Sequence, residues 1–273
     1  MKVAVQGLLV LFLTISLNLV GNDIFTYAED EETDRIVLKD ADLIVEEYAS
    51  GLKLPVMIDF IDESMLVIEK DGTVRIIKDE ILASEPVLQL EVSTTSEEGL
   101  LGILVQNNDV FLHYTTSNVD DDTTSNWFTK YTWNGEKLID PVELLSFHSG
   151  AGDHNSGVMI EDKDGVVFGA IGDMGYVGGQ YAPNNFTLIE NEEMLYQNFL
   201  SDESEPVGSV LSLNTPREIY AIGIRNTFGL DIDPVTGILW DTENGPNLFD
   251  EVNLVQKKFN SGWNKIQGPI KDN

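Results

Sequence analysis

Beyond Asp34 the chain shows no long helical periodicity. Its apolar residues fall in short alternating runs: Met65–Glu69, Thr73–Ile77, Gly102–Val105, Val110–Tyr114, Val166–Ile171 and Ile238–Trp240. Turn chemistry separates them, at Asp71-Gly72, Asn107-Asn108, Asn134-Gly135, Asp164-Gly165 and Thr236-Gly237. Alternation of this kind suits strands, whose side chains point to opposite faces in turn. The pattern predicts an all-β chain.

A larger period overlies the strands. Gly51-Leu52, Gly99-Leu100, Gly157-Val158 and Gly229-Leu230 each open an apolar run, a turn and a second apolar run. The spacing of roughly 50 to 70 residues is near that of large propeller blades with insertions. A sandwich would show strands without this period. Four units are visible, so the expected fold is a β-propeller with about four blades present. The polar segment Gly178–Glu205 interrupts the repeat and reads as an insertion, either shaping a site or forming a plain surface excursion. It contains a glycosylation acceptor pattern, Asn185-Phe186-Thr187.

Charge narrows the functional classes. The chain has 273 residues, with 47 acids against 16 Lys and Arg, a net charge of -31. Such a surface repels nucleic acid and anionic membrane, so no nucleic-acid partner is expected. Cysteine is absent, which excludes disulfides, thiolate metal sites and a cysteine nucleophile. At the N-terminus, Lys2 precedes the apolar run Val3–Val20, and the segment reaches Ala28 before the acids Glu29–Glu32. Residues 1–28 therefore read as a secretory signal or an uncleaved anchor, 29–39 as an acidic linker, and 40–273 as the partial propeller. The expected location is secreted or at the exterior of the cell envelope.

Candidate chemistry gathers in Phe147–Gly175. This stretch holds two of the three histidines, the pair Asp153-His154, and Asp173 beyond a hairpin turn at Lys163-Asp164-Gly165. A histidine before one strand and an acid after the next can lie side by side. That pairing supplies a general base and the carboxylate that holds its tautomer. The alternative is a satisfied loop histidine at a sheet edge.

Five stretches in order resemble the pyrroloquinoline quinone (PQQ)-dependent soluble sugar dehydrogenases of the glucose, aldose and sorbosone type. They are Gly51-Leu52 and Pro55 with Asp71-Gly72-Thr73-Val74-Arg75; Glu98-Gly99-Leu100-Leu101-Gly102; Asp153-His154-Asn155-Ser156-Gly157 with Gly172-Asp173; Gly223-Ile224-Arg225-Asn226 with Gly229-Leu230; and Glu243-Asn244-Gly245-Pro246 with Asp250-Glu251-Val252-Asn253-Leu254 and Gly262-Trp263. The resemblance implies a six-bladed propeller oxidising an aldose at its anomeric carbon to the lactone. PQQ would take the hydride, and an external acceptor would take the electrons. His154 is then the base and Asp173 its orienting acid. Arg225 and Asn226 are the cofactor contacts, with Arg225 also stabilising charge on the quinone. Glu97 and Asp153 are the sugar contacts. A Ca²⁺ polarising the quinone would be held by backbone carbonyls at Gly245 and Pro246, with Asp250 and Glu251 serving a second, structural ion. Read alone, Arg225 could equally be a surface ion pair, and the Gly245–Glu251 stretch a turn with solvated acids.

Three departures from the family pattern stand out. Val158 follows Gly157 where the family carries Arg or Lys, and Glu97 falls where it carries glutamine. The sequence stops at Asn273 where the family continues for about two more blades, which implies a C-terminally truncated ring. These departures leave two alternatives beside the dehydrogenase. One is a non-catalytic Ca²⁺-binding propeller; the other is a Ca²⁺-dependent lactonase.

Overall fold

A computed structural model describes residues 39–40, 42–118, 123–149, 152–175, 206–214, 216–263, 266 and 268. The expected signal or anchor, the linker up to residue 38 and the insertion at Gly178–Glu205 lie outside the described residues.

The chain is an all-β, four-bladed propeller arrangement, and no helix occurs among the described residues. The first sheet holds β1 (Pro55–Ile61), β2 (Ser64–Glu69), β3 (Thr73–Lys78), β4 (Ile81–Leu82) and β5 (Leu88–Gln89). The second is a meander of β6 (Leu100–Gln106), β7 (Asp109–Ser117), β8 (Thr124–Trp133) and β9 (Leu138–His148). In the third, β10 (Met159–Glu161), β11 (Val167–Ile171), β12 (Ser209–Ser212) and β13 (Ile219–Ile222) run antiparallel in sequence order. The fourth has three strands, β14 (Thr227–Ile232), β15 (Leu239–Glu243) and β16 (Glu251–Val255). The chain then returns to the third sheet, where β17 (Phe259–Asn260) pairs in parallel with β13.

Packing between sheets explains the repeat seen in the sequence. The first strand of each sheet neighbours that of the next: β1 lies against β6, β6 against β10, and β10 against β14. Three apolar layers fill the wedges. Leu66, Ile68 and Val74 meet Leu100, Leu112 and Tyr131; Phe111, Phe128 and Phe147 meet Val167, Leu211 and Ile222; Val158, Ala170 and Ile224 meet Leu230, Leu239 and Val255. Residues such as Leu66, Val67 and Ile68 are fully buried because a central strand is covered on both faces. Trp240, Val252 and Leu254 instead stand exposed on the far face of the fourth sheet.

Antiparallel order brings the end of each second strand beside the start of its first. In the hairpin of β10 and β11 the turn closes with the Gly165 N–H donating to the Asp162 carbonyl at 3.0 Å, and Gly165 takes φ +80°, cheap only for glycine. His154 before β10 and Asp173 after β11 thereby emerge at one end of the blade. Arg225, just before β14, joins them from the next blade.

Candidate active site

His154 sits between an acid and a cation. Its Nδ1 is 2.5 Å from Asp173 Oδ1 and its Nε2 is 2.8 Å from Arg225 Nη2. A guanidinium can only donate, so Nε2 accepts and Nδ1 carries the ring proton, donated to Asp173. This neutral tautomer keeps its lone pair on Nε2, facing Arg225. Any other donor to that lone pair must displace Arg225.

The turn that presents His154 has unusual backbone. His154 (φ 57°) and Ser156 (φ 52°) are left-handed, as is Met174 just after Asp173 (φ 56°). Each such non-glycine residue costs about 1–2 kcal/mol and persists only where surroundings enforce it. Here they do. The His154 N–H donates to Glu97 Oε2 at 2.6 Å. Ser156 Oγ accepts from the Thr227 N–H and donates to Asn226 Oδ1, both at 3.0 Å. Asn155 Oδ1 accepts from Asn126 and Ser149, while its amide donates to the Gly152 carbonyl. Glycine at 172 lets the chains touch, since a Cβ there would lie 1.9 Å from the His154 carbonyl oxygen.

Arg225 is held at several points. Its N–H donates to Glu243 Oε1 at 2.6 Å and Nη1 donates to the Asn244 carbonyl at 2.9 Å. Trp263 packs on the guanidinium, 5.3 Å from its carbon to the ring centre, and donates Nε1–H to Asp173 Oδ2 at 2.5 Å. Arg225 Nε is buried without a partner.

Beneath Arg225 lie two buried acids of β15. Burial pushes the Glu243 carboxyl up to about 7 against the pull of the Arg225 N–H, and Asp241 up to about 6. Neutral carboxyls are favoured where water is excluded.

The two expected sugar contacts are engaged with protein. Glu97, exposed, accepts from the His154 N–H and lies 3.5 Å from Asn226 Nδ2. Asp153 Oδ1 accepts from Ser96 Oγ at 2.5 Å. Glu97 thus acts here on the loop that carries His154. Val158, where a basic residue was expected, is buried in the apolar layer between the third and fourth blades.

The expected metal residues form a turn rather than a cage. Asp250 Oδ1 accepts the Gly245 N–H at 3.0 Å. Glu251 accepts from the Gly268 N–H and the Asn253 amide. Pro246 is exposed beside them. No group of three or more His, Cys, Asp or Glu suited to a metal occurs among the described residues.

Sequence reading placed His154, Asp173, Arg225, Asn226, Glu97 and Asp153 in one site, and the structure brings all six together. It did not assign roles to Trp263 or Glu243. Both stood inside quoted motifs, and the signal available was their nearness to Gly262 and Asn244, not any pattern pointing to Arg225.

Comparison with known proteins identifies the family. The profile of the family described as glucose/sorbosone dehydrogenase matches residues 52–271. Quinoprotein glucose dehydrogenase B of Acinetobacter calcoaceticus is 32% identical over 157 residues, covering 51% of this chain and 32% of that protein. An aldose sugar dehydrogenase of Escherichia coli K12 is 30% identical over 115 residues, covering 41% of this chain and 29% of that one. The chain thus matches only about a third of the length of these two relatives. The solved PQQ-bound aldose sugar dehydrogenase of Streptomyces coelicolor shares the fold, with TM-score 0.63 and 20% identity over 83% of this chain and 67% of that chain. The family match spans most of the sequence and includes every residue of the His154 cluster, so the chain belongs to the glucose/sorbosone dehydrogenase family.

Proposed function

We propose that the protein is an exported quinoprotein that oxidises an aldose at its anomeric carbon to the lactone, with an electron acceptor outside the cytoplasm. The observation that carries this reading is the His154 ring, fixed between Asp173 and Arg225 with its basic nitrogen facing a guanidinium.

PQQ, when bound, supplies a two-electron oxidant that accepts a hydride. The residues fit such an acceptor-rich anion: Arg225 keeps a donor, Nε, without a partner, and the Asn226 amide has only a 3.5 Å contact with Glu97. Arg225 and Asn226 would hold it. His154 Nε2 takes the proton of the sugar hydroxyl, while Nδ1–H stays with Asp173. The carboxylate stabilises the imidazolium so formed and keeps the ring from turning. Asp153 and Glu97, at the rim, would orient sugar hydroxyls with the carboxylate capacity left after their protein bonds. Trp263 stacked on Arg225 keeps the cation aligned.

Asp250 and Glu251 each accept donors of the protein, the Gly245 N–H on Asp250 and the Gly268 N–H and Asn253 amide on Glu251, so a second ion there would share their oxygens with the turn. Calcium here is left to the main-chain carbonyls of Gly245 and Pro246, and no step depends on it.

The test is sugar-dependent dye reduction by the protein supplied with PQQ, with and without added Ca²⁺. His154→Ala should lower kcat by about 10²–10⁴-fold, the usual worth of a general base. An unchanged rate in that variant rejects His154 as the base. Absence of any absorbance change on adding PQQ to the parent protein rejects the quinoprotein reading itself.

A further inference from the structure

Glu243 occupies a junction that the proposed chemistry does not use directly. It ends β15 with its side chain turned into the wedge between the third and fourth blades, 6% exposed. One carboxylate oxygen, Oε1, accepts the Arg225 N–H at 2.6 Å. The other, Oε2, accepts the Ser261 hydroxyl at 2.7 Å and lies 3.4 Å from the Asn253 amide. Ser261 stands two residues before Trp263. One carboxylate therefore ties together the two chain segments that meet above it.

Those segments lie far apart in the chain, and Glu243 adds a side-chain tie to the backbone bonds between them. Arg225 enters from the third blade, and Trp263 arrives after the fourth blade has been completed. The Trp263 segment is tied to β13 by backbone bonds, Ser261 N–H to the Ile222 carbonyl at 3.0 Å and Trp263 N–H to the Gly223 carbonyl at 3.1 Å. Gly223 allows this approach, since a Cβ there would meet the Gly262 nitrogen at 2.8 Å. These bonds hold the main chain of the segment near Gly223; the side chains of Arg225 and Trp263 extend beyond them. The distance between those side chains decides whether the indole can cover the guanidinium and still reach Asp173.

We propose that Glu243 is a positioning residue of this site: by bridging the Arg225 N–H and Ser261 Oγ it sets Trp263 against Arg225, and through both it fixes Asp173 and His154. Bidentate bridging needs two oxygens on one planar group, and a buried one resists exchange with water. Mutual geometry, not negative charge, is what the bridge supplies. A glutamine can serve in its place, its oxygen accepting the Arg225 N–H and its NH₂ donating to Ser261 Oγ.

The inference rests on the dehydrogenase reading only for its activity arm, so a structural readout accompanies it. Trp263 emission is isolated by subtracting the spectrum of Trp263→Phe in each background. In Glu243→Ala it should move to longer wavelength and become open to acrylamide quenching; Ser261→Ala should give a smaller shift in the same direction, and Glu243→Gln should resemble the parent. In the sugar assay with added PQQ, Glu243→Ala should lose about tenfold in kcat with KM within about twofold, and Glu243→Gln should recover most of it. Unchanged Trp263 emission in a folded Glu243→Ala protein overturns the proposal. If that variant does not fold, unchanged emission in Ser261→Ala overturns it alone. Loss of kcat in Glu243→Gln equal to that of the alanine variant also overturns it, since charge would then be the requirement. A parent protein that oxidises no sugar would reject the dehydrogenase reading and leave the emission arm to decide this one.

Discussion

His113 shows how a single residue can serve the site from below. It is fully buried, packs edge-on against Phe128 at 4.5 Å, and neither ring nitrogen has a partner. Its ring lies directly under the turn that carries His154, where a Cβ on Gly157 would fall 2.6 Å from Nδ1. Burial lowers its pKa to about 3. In the unfolded chain it takes a proton near pH 6.5. Between those values the unfolded state binds more protons, so stability is full above about pH 6.5 and falls as pH drops towards 3. The slope contributed approaches about 1.4 kcal/mol per pH unit. His113→Phe should remove that component, so across pH 7 to 4 the parent's melting temperature should fall more steeply than the variant's. Parallel curves would contradict the buried neutral imidazole. Nothing in the sequence marked this histidine as buried beyond its place in the apolar run Val110–Tyr114. The same limit hid the acids of β15. Asp241 is buried while its neighbour Trp240 faces solvent, the reverse of what alternation with apolar residues inward would assign.

At the scale of elements, the hairpin was the legible part. Alternation and the Lys163-Asp164-Gly165 turn were enough to place His154 and Asp173 together, because antiparallel pairing across a short turn is local and the turn sets its register. Trp263 was not legible, since 90 positions separate it from Asp173 and its route passes through a whole blade. The two-residue strand β17, paired in parallel, is too short to leave a pattern. Close backbone contact was likewise invisible. Gly172→Ala would force a methyl to 1.9 Å from the His154 carbonyl, which is backbone and cannot swing aside. We expect a loss of about 1–3 kcal/mol of stability, typical of overpacking, together with displacement of His154. Variant and parent should be compared by chemical denaturation; equal midpoints would refute the contact.

For the whole molecule, the four sheets and the layers between them follow the repeat read in the sequence. The site is built where successive blades meet, so its residues come from loops far apart in sequence and hold together only while the wedges stay closed. The pairing of β17 with β13 extends this dependence to the fourth blade. It fastens the chain at Ile222 to the chain at Asn260 and makes everything between them a tethered loop. A strand set that melts within a tether gains less conformational freedom than one with a loose end, because its ends remain joined. Amide protons of β14, β15 and β16 should therefore exchange more slowly than a three-stranded sheet at the margin of the arc would by itself allow. Replacing Ser261 by Pro, which removes the N–H donated to the Ile222 carbonyl at 3.0 Å, should quicken exchange across that sheet while leaving β6–β9 unaffected. Two residues of parallel strand would then act as the clasp of a ring: small in itself, and the reason the links it closes do not slip apart.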